Sequence, residues 1–313
     1  MKTRYVLLAL LLVTFTSALL AAEETVPAGP PTLEATYLGL SSGPLRQARL
    51  VELPEGTLLR ANGVIVTATQ LAARIAEAGD DAPFRRLLEK NAPYLVEKMA
   101  TEALLYGEAT AWAQKNAVPT KDESTATLID AYLRSVGAEA KVTAEETKAY
   151  FDANQDMFGG AKYEQVAEDL RSYLLTDKQD ALVAAHVNSL SERTPVEFSA
   201  AWLQAHAPAQ LNTTADQARR SGKPSLVDFG AGGCGPCDRM TPILDELGKT
   251  YRDQCNVLFV SVRDDPLIGY RYGIRSIPVQ VLFDAQGKEV HRHVGFWARE
   301  MIVVKCKELG LLP

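Results

Sequence analysis

Residues 225–237 constrain the fold of this chain more than any other segment. The apolar run 225–229 predicts a buried strand. A glycine-rich turn follows, and Cys234 and Cys237 then stand at the start of a predicted helix. From Asn212 onward, strands and helices alternate, which is the pattern of an α/β domain. A Cys-x-x-Cys pair between a strand and a helix is placed to exchange electrons with a disulfide.

The helix start sets the chemistry that we expect of the two thiols. The partial positive charge of the first helical amides lowers the pKa of Cys234, which makes it the predicted nucleophile. Cys237, one turn later, is the predicted resolving thiol. Asp228 is an acid within a buried strand, where burial raises its pKa and suits it to accept the proton of Cys237. The redox group is then the Cys234–Cys237 disulfide itself, and we expect no other cofactor.

Other readings of these side chains are weaker. A purely structural Cys234–Cys237 disulfide closes too small a ring to stabilise the fold much. Half of a zinc site lacks a second ligand pair at a suitable spacing. His291 and His293 share one strand face, and we favour a solvated face over a metal site. For Cys255 and Cys306 two arrangements stay open: a second disulfide, or two buried free thiols.

The N-terminus predicts export. Lys2 and Arg4 precede the apolar run 5–20, and small residues end at Ala22 before Glu23, so residues 1–22 read as a signal peptide. An uncleaved anchor is the alternative. We therefore expect a periplasmic or extracytoplasmic protein in a compartment where disulfides form. The net charge of −6 argues against a nucleic-acid partner, and the sequence does not indicate an oligomeric state.

The 313 residues are enough for about two domains. We predict a linker over 23–56, a mostly α-helical domain over 57–208 and an α/β domain over 209–313. In the helical domain, Asn62-Gly63 predicts a hairpin turn, and Thr67 with Gln70 predicts a capping box. Long helices are predicted over 93–117 and 163–193, with another beginning near Lys121.

The C-terminal motifs resemble thioredoxin in order and spacing over about 212–313. The resemblance implies a thioredoxin fold, dithiol–disulfide exchange, a cis proline at Pro278, and client contacts at Gly233, Gly235, Pro236, Ile277 and Gly295. Three residues depart from the pattern: Gly233 and Gly230 stand where aromatic residues are usual, and Phe259 stands where a lysine is usual. The motifs are Lys223-Pro224-Ser225-Leu226-Val227-Asp228-Phe229, Cys234-Gly235-Pro236-Cys237, Pro242-Ile243-Leu244-Asp245-Glu246-Leu247, Tyr272-Gly273-Ile274-Arg275-Ser276-Ile277-Pro278 and Gly295-Phe296.

The helical region resembles exported chaperones of the SurA/PrsA type in three places: segment 59–67 with the helix after it, segment 142–154, and the long helix from Tyr163 with the strand 196–198. Where those proteins often insert a prolyl-isomerase domain, this chain has only Gly159-Gly160-Ala161-Lys162. The resemblance implies a cradle for extended polypeptide without isomerase activity. A helical spacer or dimerisation domain is the alternative.

These expectations combine into an exported thiol–disulfide oxidoreductase, a reductase or isomerase, whose helical domain holds client polypeptide. The alternative is a periplasmic chaperone or scaffold whose thioredoxin-like domain only binds partners. Gly-Pro between the cysteines favours a reductant. An exported reductant needs electrons, which a membrane relay of the DsbD or CcdA type would supply.

Overall fold

The computed structural model describes residues 29–313 except Ser42, Asp122 and Asn154. The predicted signal peptide lies outside these residues. Within the described part of the chain, no helix is both long enough and apolar enough to cross a membrane. The described helices and strands, in chain order, are α1 (Leu33–Thr36), β1 (Arg49–Val51), β2 (Thr57–Ala61), β3 (Val64–Thr67), α2 (Ala68–Ala76), α3 (Ala82–Lys90), α4 (Ala92–Lys115), α5 (Thr125–Gly137), α6 (Ala144–Ala153), α7 (Tyr163–Asn188), α8 (Leu190–Arg193), β4 (Val196–Ser199), α9 (Ala200–Gln210), α10 (Thr214–Arg219), β5 (Ser225–Gly230), α11 (Gly235–Thr250), β6 (Asn256–Ser261), α12 (Pro266–Arg271), β7 (Val279–Phe283), β8 (Glu289–Val294) and α13 (Arg299–Glu308).

The first sheet has the strand order β1-β4-β2-β3. Strands β2 and β3 form the predicted hairpin, and its turn residues Asn62 and Gly63 both have positive φ, as a two-residue hairpin turn requires. Thr67 and Gln70 form the predicted capping box at the start of α2. Helix α4 packs on this sheet through buried residues such as Val96 and Ala100.

The predicted linker 23–56 is wrong for the residues described after position 28. This segment contains α1 and β1, and β1 pairs in parallel with β4. Leu33, Leu45 and Leu50 are buried in the same core as α4. The prolines and glycines do mark turns, but the apolar residues between them are bound by a strand about 150 residues away, which no local pattern reveals.

Two predicted helix boundaries also differ. The helix expected near Lys121 begins at Thr125, because the Ser124 side chain accepts a hydrogen bond from the Thr127 amide and caps it there. The long helix expected to reach Arg193 ends at Asn188. Beyond that break, the Arg193 guanidinium returns to the end of α7 and donates to the His186 carbonyl at 2.6 Å, and it also binds the Glu108 carboxylate.

The second sheet has the order β6-β5-β7-β8, with β5 parallel to β6 and antiparallel to β7. Helices α11 and α13 cover one face through Leu244 and Ile302, and α10 and α12 cover the other through Ala215 and Ile268. Strands and helices alternate in this region as predicted, and the predicted strand 225–229 is β5, which extends to Gly230. The result is a three-layer α/β domain with β5 at its centre.

Polar contacts join the two regions. Gln210, fully buried at the end of α9, donates to the Leu40 carbonyl and accepts from the Tyr94 amide. Its own carbonyl accepts from Arg271 at 2.8 Å, and Arg271 forms a buried ion pair with Asp216. The boundary that we predict between residues 208 and 209 therefore falls inside α9, at a packed junction.

Candidate redox site

The two cysteines lie where β5 passes into α11. All six residues of β5 are buried, and the chain then turns through Gly233, whose φ is +78°. Cys234 is the N-cap of α11, and its carbonyl accepts a hydrogen bond from the Asp238 amide at 2.9 Å. Cys234 and Cys237 form a disulfide with a Cα–Cα distance of 5.2 Å.

The two sulfurs differ in exposure, which separates their roles. Cys234 is partly exposed, whereas Cys237 is 2% exposed. When the disulfide is reduced, the free amides of the first helical turn favour the thiolate of Cys234. Pro236 lies in that turn and lacks an amide hydrogen, which limits this effect. A client disulfide can therefore approach the Cys234 sulfur but not that of Cys237, which makes Cys234 the attacking thiol.

The second loop of the site carries the cis peptide bond. The Ile277–Pro278 bond is cis, as the resemblance implies. The Ile277 carbonyl oxygen lies 4.0 Å from the Cys234 sulfur. Gly295, which has φ +95°, donates its amide to the Pro278 carbonyl at 2.8 Å and ties this loop to the end of β8.

The structure thus gathers the residues predicted to contact clients. Gly233, Gly235 and Pro236 are exposed on the dithiol side, and Ile277 and Gly295 are partly exposed on the cis-proline side. These five residues form a rim around the Cys234 sulfur, across which the backbone of an extended chain could lie.

Asp228 lies beneath the dithiol. Alternate residues of a strand share a face, so Asp228 points to the same side as Leu226, which packs against α11. Asp228 is fully buried. Burial raises the pKa of its carboxyl from 3.8 to about 6, and a hydrogen bond from Gln280 partly offsets that rise. An acid with this pKa is ionised at neutral pH yet takes up a proton readily.

Gln280 is a further residue of the site that the sequence motifs do not indicate. It lies opposite Asp228 on β7, and its Nε2 donates to Asp228 Oδ1 at 2.6 Å. One signal was available, because Gln280 is the only polar residue in the otherwise apolar run 279–283. A fully buried amide in such a strand needs a polar partner.

The departures at Gly230 and Phe259 are spatially linked. A Cβ on Gly230 would lie 2.8 Å from Cε2 of Phe259 and 3.4 Å from the Cys237 sulfur. The Phe259 ring, extended from the neighbouring strand, therefore takes the space in which a side chain at position 230 would begin. A cavity of about 310 Å³ opens beside the ring and Cys237, with Asp238 and Asp245 in its wall.

The remaining candidate residues lie outside this site. Cys255 and Cys306 are both buried and free, so the second disulfide is absent in this structure. Burial raises the pKa of Cys255 to about 11 and that of Cys306 to about 12. His293 stacks on Trp297 with ring centroids 4.7 Å apart.

Burial lowers the pKa of both His291 and His293. Among the described residues, no cluster of three or more His, Cys, Asp or Glu side chains could hold a metal ion.

Comparison with known proteins agrees with this geometry. The thioredoxin family model matches residues 208–308. A thioredoxin-like protein of Synechocystis sp. is 43% identical over 86 residues, which are 28% of this chain and 81% of the relative. The thioredoxin of Alicyclobacillus acidocaldarius is 37% identical over 93 residues, 30% of this chain and 88% of the relative. Through this C-terminal domain, the chain belongs to the thioredoxin family.

Proposed function

We propose that this chain is an exported thiol–disulfide oxidoreductase that acts on protein disulfides, as a reductase or an isomerase. The observation that carries the proposal is the arrangement of Cys234. Cys234 is partly exposed and is the N-cap residue of α11, and its sulfur lies 4.0 Å from the Ile277 carbonyl oxygen of the cis-proline loop. Such a sulfur can meet a client sulfur while the rim holds the client backbone.

In the reducing direction, the Cys234 thiolate attacks one sulfur of a client disulfide. A Cys234–client disulfide forms, and the other client sulfur leaves as a thiolate that water protonates. Cys237 then gives its proton to Asp228, and its sulfur attacks Cys234. The Cys234–client bond breaks and the second client thiolate leaves. Two electrons have then passed from the dithiol to the client, and Asp228 returns its proton to solvent.

We further propose that the helical domain holds the client. Helix α7 supports this idea because it exposes Tyr173 and Leu182, which are 56% and 39% accessible. The same helix reaches the site, since Asp180 lies 4.0 Å from Arg275, two residues before Ile277. A polypeptide resting on α7 would be near the dithiol.

A separate cavity in the helical domain is consistent with client binding. It measures about 450 Å³ and lies between α4 and α5. Its wall combines apolar side chains, such as Leu105 and Ile129, with charged ones, such as Lys98 and Asp130. Mixed walls of this kind suit extended chains of varied sequence, as the resemblance to SurA/PrsA-type chaperones implies.

Export and electron supply complete the proposal. The sequence of residues 1–22 supports a signal peptide, which would place the dithiol in the periplasm or another extracytoplasmic compartment. There a reductant would draw electrons from a membrane relay of the DsbD or CcdA type. The reduction potential of the Cys234–Cys237 pair tests this direction: a value near that of thioredoxin, about −270 mV, supports a reductase, and a strongly oxidising value refutes it.

Two matched variants test the catalytic assignment. Cys237→Ser should accumulate mixed disulfides with clients, because Cys234 still attacks and nothing resolves the product. Cys234→Ala should trap none and should lose insulin reduction. If Cys234→Ala still reduces insulin, the assignment is wrong. If neither variant traps a client while both suppress client aggregation, the chain is a chaperone or scaffold.

A further inference from the structure

One polar side chain beneath the dithiol has no part in the reaction described above. Gln280 on β7 lies directly opposite Asp228 on β5, and cross-strand partners of this kind share a sheet face. Both residues are 0% exposed. Within residues 29–313 as described, the Gln280 amide is the one group that donates a hydrogen bond to the Asp228 carboxyl.

The atoms left without partners show how the pair is oriented. Gln280 Nε2 donates a hydrogen bond to Asp228 Oδ1, whereas Asp228 Oδ2 and Gln280 Oε1 are buried without a hydrogen-bond partner. If the Gln280 amide were flipped, its Oε1 would face Asp228 Oδ1, and two acceptors cannot form a hydrogen bond. The ionised carboxylate therefore favours the orientation in which Nε2 faces it. Oδ2 is therefore the basic atom that stays free.

The strand alternation places the Asp228 side chain on the sheet face that the resolving thiol covers. Asp228 and Gly230 project to the same face of β5. At Gly230 that face meets Cys237, whose sulfur would lie 3.4 Å from a Cβ at position 230. Asp228 thus lies two residues before the position where β5 meets Cys237, and its Oδ1 is bound by the Gln280 amide while Oδ2 has no partner.

We propose that Gln280 is a positioning residue for Asp228, which it holds in the ionised form through Oδ1 so that Oδ2 accepts the proton of Cys237. This inference rests on the proposed function, because it concerns the resolving step of that reaction. The Gln280 amide gives the Asp228 carboxylate a hydrogen-bond donor in an otherwise apolar interior, which stabilises the ionised form.

Other titratable groups border the pair and need separate control. His293 is the cross-strand partner of Gln280 on β8, and Phe259, which does not titrate, is the partner of Asp228 on β6. The titratable and charged groups on the elements packed against this face include Cys237, Asp238 and Asp245 of α11, His291 and His293 of β8, Cys306 and Lys305 of α13, and Cys255 before β6.

The first measurement is the titration of the Asp228 carboxyl in the oxidised full-length chain, by carbon NMR or infrared difference spectroscopy. Gln280→Met keeps the size of the side chain and removes the donor. It should raise the pKa of Asp228 by about one to two units. Gln280→Glu should raise it as well, since two facing carboxyls share one proton, and it serves if the Met variant does not fold. An unchanged or lowered pKa overturns the proposal.

The second measurement is the rate at which Cys237 resolves a preformed mixed disulfide on Cys234, as a function of pH. A rise of one unit in the pKa of Asp228 should slow Gln280→Met about fivefold at pH 6 and leave it unchanged above pH 9. In an Asp228→Asn background, the same substitution should slow nothing further. If Gln280→Met slows resolution equally in the wild-type and Asp228→Asn backgrounds, or if the slowing does not depend on pH, Gln280 has a merely structural role and the proposal is overturned.

The two measurements separate this inference from the proposed function. The carboxyl titration needs no client and no turnover. If the wild-type protein resolves no mixed disulfide, the proposed function fails, and the titration still decides whether Gln280 sets the protonation state of Asp228.

Discussion

Replacing Asp228 by Asn should make the protein more stable at neutral pH, even though it removes the predicted catalytic base. In the folded chain the pKa of Asp228 is about 6, above the value of 3.8 for an unfolded carboxyl. A raised carboxyl pKa means that the folded state binds the proton more tightly than the unfolded state. The resulting stability is fully present below pH 3.8 and is lost as the pH rises through 6.

The size of this effect follows from the two pKa values. Their difference is about two units, which corresponds to a loss of about 3 kcal/mol between pH 4 and pH 8. Since Asp228 is 0% exposed, solvent does not screen this cost. Asn keeps the hydrogen bond that Asp228 Oδ1 accepts from Gln280, and its new amide can donate to the unpaired Gln280 Oε1. The variant should therefore gain up to about 3 kcal/mol at pH 8 and almost nothing at pH 4.

Native-state hydrogen exchange of the β5 amides is the appropriate assay, because a chain of two domains need not unfold in one step. Opening free energies are measured for wild type and Asp228→Asn at several pH values, with a correction for the intrinsic exchange rate. A gain of equal size at pH 4 and pH 8 would show that ionisation is not its source. No gain at either pH would show that Asp228 does not ionise in a desolvated site.

Three further predictions concern packing, thiols and the junction. Gly230→Ala should destabilise the domain by up to about 1 kcal/mol in chemical denaturation, because the exposed Phe259 ring can shift, and Phe259→Ala in the same chain should restore most of the loss; failure of that rescue would contradict the proposed contact. Before reduction, the denatured chain should label at two thiols, Cys255 and Cys306, and the native chain should resist labelling because both are buried with raised pKa values; no label before reduction would indicate a second disulfide. Arg271→Met should cost about 3–5 kcal/mol in unfolding free energy because it leaves a buried carboxylate unpaired, and replacing both partners by apolar residues should cost less.

Short-range signals predict much of this fold correctly because their physical causes are local. The Asn62-Gly63 turn depends on two positive φ angles, and the Thr67 capping box depends on a partner three residues away. The strand, turn and helix around Cys234 are set in the same way. In the α/β domain, the apolar run 225–229 places β5 within one residue of its observed end at Gly230.

The errors lie where distant contacts decide the structure. Residues 29–56 contain many turn formers, yet they include the strand β1, which pairs with the distant strand β4. Beyond the break after Asn188, Arg193 likewise binds Glu108 on another helix. Neither partner can be read from the neighbouring sequence, since the contacts span roughly 85 to 150 positions.

The redox site shows the same limit at the scale of single residues. When each position is compared separately with the thioredoxin pattern, Gly230 lacks the usual aromatic ring and Phe259 lacks the usual lysine charge. The register between β5 and β6 changes that reading, because the Phe259 ring extends over Gly230 and reaches the region of Cys237. The carboxyl of Asp228 also keeps a polar partner, which comes from Gln280 on the opposite strand. The surroundings of the acid are therefore built by three adjacent strands together. For this reason we expect the paired substitution at positions 230 and 259 to be tolerated better than Gly230→Ala alone.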